Sequence, residues 1–530
     1  MTLTACLSAR SQNINAQVQV TNDYQSASGA VSKLEIPVTV PDSATSFDYN
    51  FDYSVFESPY RGAYEFTPYA VRVVPEPRAY DGRSLYVKAG AGYSLYPVLQ
   101  AVYSTKPKEN FALSVYQDFQ GYYGDYWTVS KNDMKPVSGS LYKGYDFSEK
   151  FGVEGSLRSD VLNFSWLADY RGLYNSDSQL PTAYHSGGIS ANVSSARNRN
   201  SYFLYDVTLS ARYGLDMLDH YFEPIYTTQH TYGLDATLGP VLKGRYKVLV
   251  DIDARHDSYS GISVGRNNFV QLFPYADFMV WKLHVKAGAK LSAAGGLRSF
   301  RVHPDAEIDL SVLNGGSLDL YAGITGGQHM HSYSEFKESY HRFNISYTDQ
   351  VNAVSNDKFD VYAGVRGHIG SNLQYDVKAG YAMYGNVPLA AVVTEPAFAS
   401  SIAFKDFNLV YADVDLSWKS ESFEFTGGLN YRKTSLVQPT DCFNLPLISG
   451  DVSAVYNYRK RIFVGVSCEG ATSRGQISAY ADLGAIAEYR FNRCFSFWAK
   501  GGNLLDMTIQ RVPRYIEKGI NFTAGITVNL

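Results

Sequence analysis

From Ser84 onward, apolar and polar positions alternate along most of this chain. Leu85, Val87, Ala89, Ala91 and Tyr93 share one face, with Tyr86 and Lys88 on the other. Tyr246, Val248, Val250, Ile252 and Ala254 oppose Lys247, Asp251, Asp253 and Arg255. Phe359, Val361, Ala363, Val365 and Ile369 oppose Asp360, Tyr362, Arg366 and His368. Val410, Ala412, Val414, Leu416 and Trp418 oppose Tyr411, Asp413, Asp415, Ser417 and Lys419. A period of two sustained over such lengths predicts strands with one apolar and one polar face. In each segment the charges keep to one face. A charge facing lipid at mid-bilayer costs ~2–4 kcal/mol, so this segregation is what a transmembrane barrel requires. A soluble sandwich alternates too, with its apolar face in a core.

The number and spacing of the segments favour the barrel. Strands are expected to start near 84, 95, 110, 136, 152, 187, 201, 230, 244, 268, 282, 302, 317, 358, 372, 407, 423, 449, 460, 480, 494 and 519. That makes about 22, even as in single-chain bacterial barrels. The last strand runs to the end of the chain, with Ile520, Phe522, Ala524, Ile526, Val528 and Leu530 on one face. Counting back from it, connections alternate between tight and long. The tight ones are Asn492-Arg493, Ser420-Glu421-Ser422, Gly370-Ser371-Asn372, Asn314-Gly315-Gly316, Arg197-Asn198-Arg199-Asn200 and Ser148-Glu149-Lys150. The long ones cover roughly 506–518, 435–448, 386–406, 330–357, 215–229 and 171–186. Short periplasmic turns and long external loops give this rhythm. The expectation is an all-β, transmembrane antiparallel β-barrel over 83–530, with both termini periplasmic, in a bacterial outer membrane.

Composition agrees. Aromatic residues make up 15% of the chain, with 44 Tyr and 29 Phe, as interface girdles and polar lumens need. The net charge of −4 gives no reason to expect nucleic acid as a partner. No apolar run reaches the ~18–20 residues of a spanning helix. Cys6, Cys442, Cys468 and Cys494 are too scattered for a disulfide framework or a zinc site, though one pair among the last three fits an oxidising compartment.

The first residues read differently. Residues 1–11 look like the remnant of an export signal, with Ala9-Arg10-Ser11 before Gln12 as the cleavage region. Leu3-Thr4-Ala5-Cys6 is a rival, lipobox reading that would make Cys6 a lipid anchor. Residues 12–82 hold Pro37, Pro41, Pro59, Pro68, Pro75 and Pro77, too much proline for central strands. They are expected to form an extended periplasmic or lumen-entering segment.

Near the other end, Gly501-Gly502-Asn503-Leu504-Leu505-Asp506, Pro513-Arg514-Tyr515 and Gly519-Ile520-Asn521-Phe522 resemble the C-terminal signature of TonB-dependent outer-membrane receptors. Arg514 stands where that family commonly has Gly, and Leu530 replaces its usual terminal Phe. The resemblance implies a 22-stranded barrel and a part in ligand uptake. A complete receptor also carries a folded plug before its barrel. Residues 12–82 do not match one, so a plugless, porin-like barrel is expected. Glu35-Ile36-Pro37-Val38-Thr39-Val40 faintly resembles the family's TonB box, which pairs as an added strand with an energy-coupling protein; a plain linker explains it better.

Chemistry is sparse. His329-Met330-His331 stands where a strand leaves the membrane, followed by Glu335, Glu338 and His341. Imidazoles two apart share a strand face and a loop carboxylate could complete a metal site, but the loose spacing fits ordinary loop histidines better. No Gly-x-Ser-x-Gly elbow stands where a hydrolase would need it. Ala89-Gly90-Ala91-Gly92 lacks the helix of a nucleotide fingerprint. No catalytic, cofactor or metal site is therefore assigned, and the chain reads as a non-enzyme. Asp251, Asp253, Arg255, Asp360, Arg366, Asp413 and Asp415 are expected to face the lumen. Their mixed charge suggests a wall braced by ion pairs rather than an ion funnel.

Three functions fit in this order: transport of a nutrient or small ligand, a structural or assembly subunit of an outer-membrane complex, and a surface enzyme. Expected partners are outer-membrane lipids, with either a periplasmic energy-coupling protein or a surface or periplasmic lipoprotein.

Overall fold

The computed structural model describes residues 84–530, without 94, 106–110, 130–135, 158–161, 177–181, 196–201, 220–223, 243–245, 262–265, 296–298, 314–317, 340–353, 371, 393–399, 437–444, 476, 512–514 and 518. The expectations for residues 1–11, 12–82 and 35–40, and those for Cys6, His341 and Cys442, lie outside the described residues.

Among the described residues, twenty-two strands run from β1 (Leu85–Gly92) to β22 (Asn521–Asn529). Consecutive strands pair antiparallel, and β1 also pairs with β22 in a register that sets Gly90 against Gly525. The sheet therefore closes on itself. Closure leaves no unpaired strand edge, which a lipid environment would not tolerate. At the seam Ser84 N and Leu85 N donate to the Leu530 carbonyl at 2.6 and 2.8 Å, and Leu530 N donates to Leu85 O at 2.7 Å. The first strand thus begins on the rim where the last one ends, here termed the C-terminal rim. No helix among the described residues is long and apolar enough to span a membrane.

The terminal strand shows how side chains are sorted. Phe522, Ile526 and Leu530 stand exposed, whereas Thr523 on the opposite face is buried. Val361, Tyr381, Val410, Ile189 and Leu209 join the exposed apolar exterior. A lipid-facing arginine should be costly there. Val361→Arg is expected to lower barrel stability by about 2–4 kcal/mol, read from the urea dependence of folding into lipid vesicles, while Val361→Leu stays near wild type.

Two sequence expectations need correction. Ser148-Glu149-Lys150 is not a turn. It lies inside β4 (Pro136–Leu157), which pairs without a break to β5 (Leu162–Asn175). Glu149 interrupts the row of Phe147 and Phe151 and so mimics a turn, but its carboxylate accepts a hydrogen bond from Gln117 Nε2 at 2.9 Å across the sheet. Residues 171–186, 215–229 and 386–406 are not long loops either. β5, β6 (Thr182–Ser195), β7 (Phe203–Asp219), β8 (Pro224–Leu242), β15 (Leu373–Val392) and β16 (Ser400–Lys419) extend through them. A tilted strand crosses a bilayer in ~9–11 residues. The surplus forms hairpins beyond the apolar zone, where the strict alternation fades. The connections that are long lie at 331–353, 435–447 and 503–520. All three belong to the rim opposite the chain ends, here the far rim.

Candidate functional site

Wall side chains can fill a narrow barrel, but one of this strand number encloses space they do not reach. The far rim is where the chain fills it. After β13 (Leu318–Met330) the connection to β14 (Val354–Ile369) carries a short helix, α1 (Tyr333–Ser339). Tyr333 and Phe336 of α1 are buried in one cluster with Leu173 of β5, Tyr184 of β6, Tyr259 of β9 (Tyr246–Ser260) and Ile402 of β16. β6 and β16 are ten strands apart in a ring of twenty-two, close to opposite sides of the barrel. A cluster that includes both, with α1 between, lies across the lumen.

Polar anchors hold α1 there. Asp216 of β7 accepts a hydrogen bond from Tyr333 Oη and pairs with Lys337 Nζ at 2.9 Å; Asp216 and Lys337 are both nearly inaccessible to solvent. Ser334 N donates to Gln229 Oε1 of β8 at 2.8 Å. Arg255 of β9 reaches Glu335 Oε1 at 3.4 Å, and Arg212 of β7 reaches Glu338 Oε1 at 3.4 Å. Burial pushes the Tyr333 hydroxyl well above its ordinary pKa, aided by the Asp216 charge, so it donates as a neutral phenol.

The 503–520 connection covers another part of the same end. Tyr515 packs on Tyr126, their rings 6.0 Å apart, and lies against the α1 cluster. Arg511 is buried among Glu469 of β19 (Ile462–Ala471), Asp482 of β20 (Tyr480–Arg490) and Glu517. Asn503, at the end of β21 (Phe495–Gly502), takes a left-handed φ of 47°. Its carboxamide accepts from Met507 N at 3.0 Å and donates to Met507 O at 2.8 Å, closing the turn through Leu504 and Leu505. The Asn503–Asp506 signature is thus a device for reversing the chain at the far rim. Asn503→Ala should remove both bonds and destabilise this turn by roughly 1–3 kcal/mol, seen as lost amide-exchange protection confined to 503–520.

Below this layer the wall is polar. Asp251 accepts from Thr237 at 2.8 Å and Tyr275 at 3.4 Å, and Asp253 pairs with Arg255 at 3.3 Å. Asp360 accepts from Tyr411 Oη at 2.8 Å; Arg366 pairs with Asp309, and Asp413 with Arg432. Asp415 lies in register between Asp376 and Gly428. Tyr362 Oη donates to Glu307 at 2.8 Å, and Lys378 Nζ sits 5.0 Å from the Tyr362 ring and 5.4 Å from the Tyr411 ring. Asp251, Asp360, Arg366 and Asp413 meet their partners across strands, and Asp253 meets Arg255 along its own strand.

The structure brings together three residues that sequence reasoning set aside. Ligand atoms of His329, His331 and Glu335 all lie within 4.8 Å of one another. His329 is the penultimate residue of β13, His331 follows the strand, and the first turn of α1 returns Glu335 to both. His331 Nε2 is 2.8 Å from Ser355 Oγ on β14. Burial, then the neighbouring His329, pushes the His331 ring down to about 3, so it is neutral near pH 7. Burial alone would push the Glu335 carboxyl up; His329, Arg255 and His331 outweigh it and hold it at about 2. Cys468 and Cys494 are both free thiols.

No protein-family model matches the chain, and no curated protein matches its sequence. Solved structures do. A mutant of the ferric enterobactin receptor PfeA from Pseudomonas aeruginosa aligns with a TM-score of 0.60 at 10% identity, over 84% of this chain and 80% of that one. The copper transporter OprC gives 0.61 at 10% identity, over 85% and 80%. The FrpB iron transporter from Neisseria meningitidis gives 0.62 at 8% identity, over 84% and 82%. At such identities the likeness is one of fold. The chain has the 22-stranded barrel fold of the TonB-dependent receptors of the bacterial outer membrane.

Proposed function

We propose that this barrel carries a nutrient or other small polar ligand across the outer membrane. The observation that supports this most is α1, folded from the far rim into the lumen and held by buried polar anchors on β7 and β8. A barrel that served only as a wall or scaffold has no need of a closure seated inside it. In this reading Asp251, Asp253, Arg255, Asp360, Arg366, Asp413 and Asp415 face the lumen among tyrosines and make a surface suited to polar cargo. Solved barrels of this fold are described as a ferric enterobactin receptor, a copper transporter and an iron transporter.

Growth of a deletion strain tests the reading. Under limiting supply of ferric siderophores, copper, vitamins and oligosaccharides in turn, growth or uptake should fail for one class and return when the chain is restored. Unchanged growth on every class would overturn it.

A further inference from the structure

We propose that His329, His331 and Glu335 bind a divalent transition-metal ion of the zinc class. Two imidazoles and one carboxylate are a donor set that suits zinc and its neighbours, whereas calcium and magnesium prefer oxygen alone. The spacing fits. Glu335 Oε2 lies 3.8 Å from His329 Nε2 and 4.0 Å from His331 Nδ1. Ligands ~2.0–2.1 Å from a tetrahedral zinc stand about 3.3 Å from one another. Closing the site therefore needs the carboxylate to approach each imidazole by about 0.5–0.7 Å, and the ligand atoms, all within 4.8 Å of one another, to draw in by no more than about 1.5 Å.

Two further observations point to an ion. His329 Nε2 is buried and has no hydrogen-bond partner, a costly state for a ring nitrogen unless something binds it. The groups behind the ligands are also in place. Ser355 Oγ holds His331 Nε2, leaving Nδ1 directed at the cluster, and Arg255 holds the other oxygen of Glu335 at 3.4 Å. Outer partners of this kind fix the orientation of metal ligands. Three protein ligands leave a fourth position for water or an incoming donor. Because the ligands come from both β13 and α1, a bound ion would also pin α1 to the wall. Nothing in this site depends on the barrel being a transporter.

The test is zinc titration of the tag-free, chelator-stripped full chain in detergent, by competition with a chromogenic chelator. One zinc per chain at micromolar affinity or better is expected, uncompeted by millimolar magnesium. His329→Gln and Glu335→Gln should each weaken binding at least tenfold, and Ser355→Ala by roughly 10–100-fold. Should a variant fail to fold, X-ray absorption at the zinc edge on the wild-type chain still decides, since two imidazoles and a carboxylate give a distinct first shell. Absence of stoichiometric zinc, unchanged affinity in both ligand variants, or a first shell without imidazole would overturn the proposal.

Discussion

Asp216→Ala should release α1 from the lumen. The substitution leaves Lys337, which is 1% exposed, without the carboxylate 2.9 Å from its ammonium, and it removes the acceptor of the Tyr333 hydroxyl. Breaking a buried ion pair from one side costs about 3–5 kcal/mol, because the remaining charge stays desolvated unless the structure opens. Opening is available here, since α1 reaches the wall through a connection rather than through the barrel ladder. A cysteine at Ser334, a small and buried position on α1, reports it. Labelling of Ser334→Cys by an impermeant maleimide should rise roughly a hundredfold or more with Asp216→Ala, since each 1.4 kcal/mol is a factor of ten. Asp216→Asn, which keeps an acceptor but loses the charge, should fall between. The barrel itself should stay folded.

Gly525→Val should prevent the barrel from closing. Gly525 faces Gly90 across the β1–β22 seam, and Trp498 of β21 lies over both. A Cβ at 525 would stand inside van der Waals contact of the Ala89 carbonyl oxygen, and 2.6 Å from both Gly90 Cα and the Trp498 ring. Two of those neighbours are backbone of the closing strand and cannot rotate away. Overpacking in a core typically costs 1–3 kcal/mol; a clash with ladder backbone should reach about 3 or exceed it. Without the seam, two strand edges face lipid unpaired, which no local adjustment satisfies. The expected readout is loss of the heat-modifiable, fast-migrating form on cold SDS gels, together with trypsin sensitivity. Gly187→Ala, where the nearest atom is 3.6 Å from the new carbon, serves as the neutral control.

The barrel was legible in the sequence because the bilayer imposes a rule on every crossing. Phe522 to Leu530 must present apolar side chains outward, and so must Val361 and Val410, wherever they sit along the chain. That rule stops at the membrane surface. Beyond it, strands such as β5 and β7 continue without the alternation that lipid imposes, so 171–186 and 215–229 read as loops. Glu149 misled for a related reason: its partner Gln117 is 32 residues away, and only pairing reveals it. α1 left almost no local signal. It is seven residues long, and its stability comes from Asp216, Gln229, Tyr259 and Arg255, all more than seventy residues earlier. The cluster of His329, His331 and Glu335 was dismissed on spacing because the four-residue step from His331 to Glu335 has meaning only once a helical turn is known to lie there. Asn503 was recognised through a resemblance; its work as a turn closure became visible only in its bonds to Met507.

The central claim is that α1 sits inside the barrel against the inner face of β7 and β8. Ser334 N lies 2.8 Å from the end of the Gln229 side chain, so Ser334→Cys with Gln229→Cys places two thiols within the span of a short bis-methanethiosulfonate linker. In a background with the four native cysteines replaced by serine, that linker applied to intact membranes should join this pair and shift the gel mobility reversibly with reductant. If the pair stays unjoined while both thiols react freely with an impermeant maleimide, α1 does not occupy the lumen and the account is wrong.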